Sequence, residues 1–443
     1  MLFYNFSYLF IFLPLTICFF FSSKFLKIDH KLLLILFSIF FYSYWNIYYL
    51  PIIILSITTN YFFYKKITFN ILVTRKKYLI LGIFFNILLL VMFKYIDFII
   101  QNINLLFSTS FGYLNLPFPL AISFFTFQSI AFLVNVYDED VISVKAKDFC
   151  LFIIFFPQLI AGPIVKYNFM MPQFNQGDNK IFNKKNFLIG LCILLIGLIK
   201  KVYFANTLGS YVDFGYVNIE KLNFLSCWLL SLCFTFQFYF DFSGYVDMAT
   251  GSALMLNITL PQNFNSPLKS TSIIDFWQRW HITLTNFLTN FIYYPLLKSL
   301  KKINFFNSMI VTIFVFLVAG VWHGPSWNFV LFGLFHGFGL VINHIYKKYF
   351  NFNFTKFLSW FLTFNYVNIS FVFFRTTKID DAIQIIKKMF DPDIFFTASN
   401  FFDESSLSFF NNLNLIVCFL LSLLICFFFK NSYEMLNQNL KFK

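Results

Sequence analysis

Four of the chain's five histidines, His281, His323, His336 and His344, fall in the stretch from Gln237 to His344, and only His30 lies outside it. A free imidazole changes charge at about pH 6.5, so in its neutral form it can take a proton from a hydroxyl. His323 stands in Val321-Trp322-His323-Gly324-Pro325, where an apolar run meets a proline. Pro325 disfavours helix at the residue before it, which puts the imidazole at a broken helix end and not on a smooth lipid-facing surface. Gly324 lets another group approach closely. The pattern suits a general base acting on a hydroxyl. A core histidine donating to a carbonyl of a neighbouring helix would use the same residues, and local context leaves both readings open.

The other polar residues of this region are costly at membrane depth and are therefore candidates for function. In Asp275-Phe276-Trp277-Gln278-Arg279-Trp280-His281, Asp275 and Arg279 are an i,i+4 pair in the favourable order, acid first. The two tryptophans also fit an anchor at a membrane interface. His281 and His323 lie on different segments and can converge only through the fold. Gln237–Asp247 holds Asp241, Ser243 and Asp247 in apolar surroundings, and Ser243 and Asp247 would share a helical face. No histidine stands near them in sequence, so they are expected to line a water-filled cavity. Gln158 and Gly162-Pro163 mark a further break, which would shape a cavity. His336 is read either as a packing residue or as part of the same lining, and Trp322 and Arg279 complete the expected lining set. Nothing in the spacing of the seven cysteines or the histidines suggests a metal site.

The elements that must hold these residues are membrane helices. Hydrophobic residues make up 59% of the 443 and charged residues 12%, whereas a soluble domain carries roughly 25% charged residues. Apolar runs near 2–22, 31–46, 48–64, 78–100, 117–136, 186–206, 224–240, 243–258, 306–322, 326–346, 356–376 and 412–430 each approach the length needed to cross a bilayer. They predict an all-α integral membrane protein of about 11–13 helices. Phe149–Pro163 and Phe276–Tyr294 are apolar but broken, and read as re-entrant or interfacial segments. The first run lacks the basic start and cleavage site of a signal peptide and is expected to be a retained span. Phe390–Ser408 reads as an external loop, and no linker long enough to define a second domain is visible. The net charge of +14 resides in clusters such as Lys65-Lys66, Arg75–Lys77, Lys184-Lys185, Lys200-Lys201, Lys301-Lys302 and Lys347-Lys348. These positions at the ends of apolar runs follow the positive-inside rule, which argues against a nucleic-acid partner.

Six stretches together resemble the membrane-bound O-acyltransferase superfamily, and most of all its alginate O-acetyltransferase branch. They are FPLAISFFTFQSIAFLVNVY (118–137), FFPQLIAGPIVKYNFMMPQF (155–174), FQFYFDFSGYVDMATGSALMLNITLPQNFNSP (236–267), FWQRWHITLTNFLTNFIYYPL (276–296), GVWHGPSWNFVLFGLFHG (320–337) and FVFFRTTKIDDAIQIIKKMF (371–390). They are collinear with the family and cover 118–390 within a single polytopic domain, 1–443. The resemblance implies a ring of helices around a central channel or funnel with short re-entrant helices inside it. It places His323 at the family's catalytic histidine and His281 at a second conserved polar position. His281 would either donate to the oxyanion or orient the substrate.

The same resemblance implies a multi-pass protein of the bacterial cytoplasmic membrane with no bound cofactor. Acetyl-CoA, or another acyl-CoA, would be the donor from the cytoplasmic side. A hydroxyl of an extracytoplasmic polysaccharide (peptidoglycan, an alginate-like polymer or another exopolysaccharide), or of a partner protein, would be the acceptor. A separate periplasmic or secreted acyltransferase is an expected partner. Two alternatives stand beside this reading. The related branch that transfers D-alanine to teichoic acids shares the WHG and RWH elements. A transporter or channel without catalysis would also use broken spans and intramembrane acids, but it would show repeated halves, which this sequence lacks.

Overall fold

The computed structural model describes residues 1–23, 25, 27–350, 352, 354–391 and 404–439. Among these, every regular element is helical. In chain order the principal helices are α1 (Tyr8–Ser22), α2 (His30–Ser43), α3 (Ile47–Thr68), α4 (Leu72–Phe107), α5 (Ile122–Tyr137), α6 (Ala146–Ile154), α7 (Lys184–Val217), α8 (Phe224–Met255), α9 (Ile273–Arg279), α10 (Ile282–Leu288), α11 (Phe305–His323), α12 (Trp327–Tyr349), α13 (Lys356–Arg375) and α14 (Leu413–Phe428). Seven of them, α3, α4, α7, α8, α11, α12 and α13, are long and apolar enough to cross a bilayer; α1, α2, α5 and α14 are shorter apolar helices. The chain is an all-α, multi-span membrane protein.

Local chemistry sets where these helices begin. Side-chain oxygens of Asp29, Ser272, Asn304, Ser326, Thr355 and Asn412 accept from backbone N–H groups in the first turns of α2, α9, α11, α12, α13 and α14. Each satisfies a donor that the helix itself leaves unpaired.

Two sequence expectations are corrected. The runs 224–240 and 243–258, read as separate spans, form one continuous helix, α8. Gly244 does not break it. A Cβ there would come within 2.8 Å of the Gly197 carbonyl oxygen on α7, so this glycine serves the close approach of two helices. Lys200 and Lys201 do not mark a span end either. They lie in a π-helical turn, Lys200–Ala205, inside α7, where Lys201 pairs with Asp241 and Lys200 lies over the Tyr239 ring. The expected loop Phe390–Ser408 falls largely outside the described residues, and its last part is a helix, Glu404–Asn411.

The chain divides into two compact units. The first comprises Met1–Ile196 and Tyr245–Pro261. Its interior holds paired polar side chains: Lys31 Nζ lies 2.6 Å from Asp148 Oδ1 and 2.6 Å from Asn175 Oδ1. Asn60 and Asn86 exchange amide hydrogen bonds of 3.1 and 2.6 Å between α3 and α4. Buried side chains paired in this way avoid the cost of an unmet polar group in an apolar interior.

The second unit comprises Gly197–Gly244 and Gln262–Lys443, and it contains both candidate catalytic histidines. Its main hairpin is α11–α12. The two helices cross where Gly320 faces Gly333: a Cβ on Gly333 would sit 2.3 Å from the Phe316 carbonyl oxygen. Asn328 ties the start of α12 to the end of α13 through bonds of 2.8 and 3.0 Å to Thr376. The turn between α11 and α12, which carries His323, is therefore held at both ends.

Candidate functional site

His323 is the last residue of α11. Gly324 follows in extended conformation, and Ser326 caps α12, so the helix breaks where Pro325 demands it. The imidazole is half-buried among aromatic rings. Its centroid lies 5.1 Å from that of Phe374, 5.7 Å from that of Phe332 and 5.0 Å from that of Trp322. A Cβ on Gly324 would collide with the Phe329 ring at 2.3 Å, so the glycine makes room for a wall of the site.

His281 occupies a second break, the corner between α9 and α10. Its φ and ψ are 45° and 53°, the left-handed region. A residue with a side chain adopts it at a cost of about 1–3 kcal/mol, and such strain concentrates at functional sites. The corner is fastened from outside: Asn265 N–H donates to the Arg279 carbonyl at 3.0 Å and Ile282 N–H to the Asn263 carbonyl at 2.9 Å. The His281 ring is 1% exposed. Its Nδ1 lies 3.1 Å from Asn263 Oδ1, while Nε2 is buried with no hydrogen-bond partner among the described residues. This corner lies outside the seven candidate spans, and burial lowers the ring's affinity for a proton and favours the neutral form.

Trp322 joins the two corners. Its ring is 6.3 Å from His281 and 5.0 Å from His323, so the two imidazoles lie within about 11 Å of each other. Phe242, next to Ser243 on α8, meets His281 edge-on at 4.9 Å. Ser243 is buried and its Oγ has no partner among the described residues.

The remaining sequence candidates divide. Arg279 is engaged in structure: Nε donates to Asp275 Oδ1 at 2.7 Å and Nη1 to the Asn265 carbonyl at 3.3 Å. Asp241 is paired with Lys201. His336, read as a packing or lining residue, braces the unit. Trp277 Nε1–H donates to its Nδ1 at 3.2 Å, and its Nε2 lies 2.8 Å from Ser370 Oγ. The Ser370 hydroxyl itself donates to the Val367 carbonyl at 2.6 Å, so Nε2–H is the donor to Ser370. With both nitrogens used and no surface exposed, nothing is left to meet a substrate. Gln158 and Asp247 belong to the first unit, where both are buried. Gln158 sits on the one-turn helix Phe156–Leu159, and its Nε2 donates to the Phe152 carbonyl at 2.6 Å.

One site residue was not singled out from sequence. Asn263, fully buried, accepts at Oδ1 from Thr283 N–H at 3.1 Å and Thr283 Oγ1 at 2.9 Å, besides facing His281. Its sequence signals are a place within the family-like stretch 236–267 and a position between Pro261 and Pro267, which disfavour continuous helix.

Comparison with known proteins gives this geometry a context. The model of MBOAT, the membrane-bound O-acyltransferase family, matches residues 122–379, which include every residue of the two corners. The peptidoglycan O-acetyltransferase of Helicobacter pylori is 42% identical over 389 residues, covering 81% of this chain and 73% of the relative. A probable alginate O-acetylase of Pseudomonas aeruginosa is 32% identical over 391 residues, 86% of this chain and 74% of the relative. The teichoic acid D-alanyltransferase of Streptococcus thermophilus is 28% identical over 290 residues, 58% of this chain and 68% of the relative.

Proposed function

The chain belongs to the membrane-bound O-acyltransferase family, and from that premise we propose that it takes acetyl groups from acetyl-CoA at the cytoplasmic face and passes them toward O-acetylation of an extracytoplasmic polysaccharide, peptidoglycan first among the candidates. That the chain is an O-acyltransferase of the membrane follows from the family; donor, acceptor and residue roles are the proposal. The observation that carries it is the convergence of His281 and His323 on Trp322, each at a helix break. The similarity to the peptidoglycan enzyme, at 42% against 28% for the D-alanyl transferase, favours acetyl as the group moved.

His323 acts as general base. It draws the proton from an acceptor hydroxyl as that oxygen attacks the thioester carbonyl. The tetrahedral adduct collapses, the C–S bond breaks, and the proton returns to the departing thiolate. A positioned base of this kind contributes about 10²–10⁴-fold; alignment of the two substrates within the aromatic walls supplies much of the rest. Both units belong to one enzyme in this reading, and a secreted acyltransferase receives or completes the transfer outside.

The test is His323→Ala in a deletion strain, with ester-linked acetate on purified cell wall as the readout and membrane abundance as the control. The expected result is loss of acetylation at unchanged abundance. Wild-type acetylation would remove His323 from the mechanism, and loss of D-alanine esters instead would transfer the chain to the other branch.

A further inference from the structure

Which nitrogen of His281 carries its proton can be deduced from its neighbour. Thr283 N–H is a backbone donor and cannot accept, so the Asn263 atom 3.1 Å from it is the amide oxygen. His281 Nδ1 faces that same oxygen at 3.1 Å. Two lone pairs would repel at that distance, so Nδ1 bears the hydrogen and donates. In the neutral ring Nε2 then holds a lone pair, and this atom is the buried one without a partner among the described residues.

We propose that Asn263 is a positioning residue of this enzyme: it fixes the proton of His281 on Nδ1, so that Nε2 meets a substrate O–H or N–H as a hydrogen-bond acceptor and does not donate to the oxyanion. The proposal rests on the acyl-transfer reading for its consequence, but the tautomer itself does not depend on it. It chooses between the two roles that sequence leaves open for this histidine. An asparagine serves where an aspartate would fail, because its amide oxygen accepts without adding a charge that would stabilise the imidazolium. The charged and titratable groups on the elements packed here leave the amide as the controlling neighbour. Asp275 and Arg279 on α9 pair with each other, and Asp241 on α8 pairs with Lys201. Asp247 lies further along α8 and belongs to the first unit. His323 meets the Trp322 ring with centroids 5.0 Å apart, and that ring is also the neighbour of His281.

Two measurements decide it. The first is nitrogen NMR of the full chain in nanodiscs with 15N-labelled histidine, the His281 signals being assigned by their loss in His281→Gln. A pyrrole-type Nδ1 and a pyridine-type Nε2 are expected at neutral pH. The reverse pattern overturns the proposal whatever the enzyme's activity. The second is the pH profile of kcat/KM for acetyl transfer in Asn263→Asp, which keeps the acceptor oxygen and adds a charge. The acid limb is expected to move up by a unit or more, so that at a fixed pH on that limb activity falls about tenfold and recovers as the pH rises. A purely structural Asn263 would leave the profile in place. An oxyanion-donating His281 would hold or raise activity on that limb, and either outcome refutes the acceptor role. If the wild-type protein transfers no acyl group, the functional reading fails, and the NMR pattern alone still confirms or refutes the tautomer clamp.

Discussion

His281 and His336 are sealed inside the same unit, 1% and 0% exposed, and an observer using burial alone would class them together. Their nitrogens are spent differently. His336 gives one to Trp277 and the other to Ser370, tying α9, α12 and α13. His281 gives one to Asn263 and keeps the other back, in a backbone conformation that costs energy to hold. A buried histidine with two partners is a fastening, whereas one partner and strain signal a group that the fold holds ready. What separates a reacting group from a brace is an unspent lone pair.

That contrast can be broken most directly at His281 itself. His281→Ala is expected to lower kcat for acetyl transfer by about 100-fold, the lower end of what a positioned proton-handling group contributes, while the protein melts within a few degrees of wild type. A collapse of the fold with normal specific activity in the surviving fraction would put His281 beside His336 as a fastening. His336→Ala is the mirror case. It leaves the Trp277 N–H without an acceptor, takes the ring donor from Ser370 and opens a void, so stability should fall by about 1–3 kcal/mol, read as a lower melting temperature in detergent. Turnover per folded molecule should stay within about twofold; a specific loss of turnover at wild-type stability would make His336 a reacting group after all. The smallest effect is expected from Arg279→Lys. The i,i+4 pair with Asp275 survives, at about 0.3–0.5 kcal/mol, and only the second bond to the Asn265 carbonyl is lost. A tenfold fall in activity would mean that the guanidinium touches substrate.

How much of this was legible depended on where the partner of each residue lay. The break at His323 could be read because Gly324 and Pro325 adjoin it, and the i,i+4 pair of Asp275 and Arg279 because both members share one turn of helix. The role of Gly244 could not, since a glycine in an apolar run signals a break or a close approach with equal force. Only the carbonyl of Gly197, on another helix, decides between them. Lys200-Lys201 looked like the end of a span because the neutralising carboxylate, Asp241, is remote in sequence. The same holds for His336, whose partners Trp277 and Ser370 lie on two other helices, and for the tautomer of His281. Sequence gave residue types and local breaks; tertiary partners assign the protons.

The π-helical turn Lys200–Ala205 has a consequence for how this gene can change. A π turn accommodates one residue more than the surrounding α-helix, and one residue amounts to about 100° of rotation on an α-helix of 3.6 residues per turn. A single-codon deletion within 200–205 would therefore convert the turn to ordinary α-helix and keep the two flanks of α7 in phase, whereas the same deletion in the α-helical parts would turn one flank against the other. With a deletion at 206–208, Gly197 would lose its fit at Gly244, or Gly209 its fit at Gln237, since both contacts cannot survive the rotation. Point substitutions along the lipid-facing side of this helix should accumulate freely in descendants. Changes of length should be purged along it except within 200–205, where one residue can be lost with the flanks kept in phase.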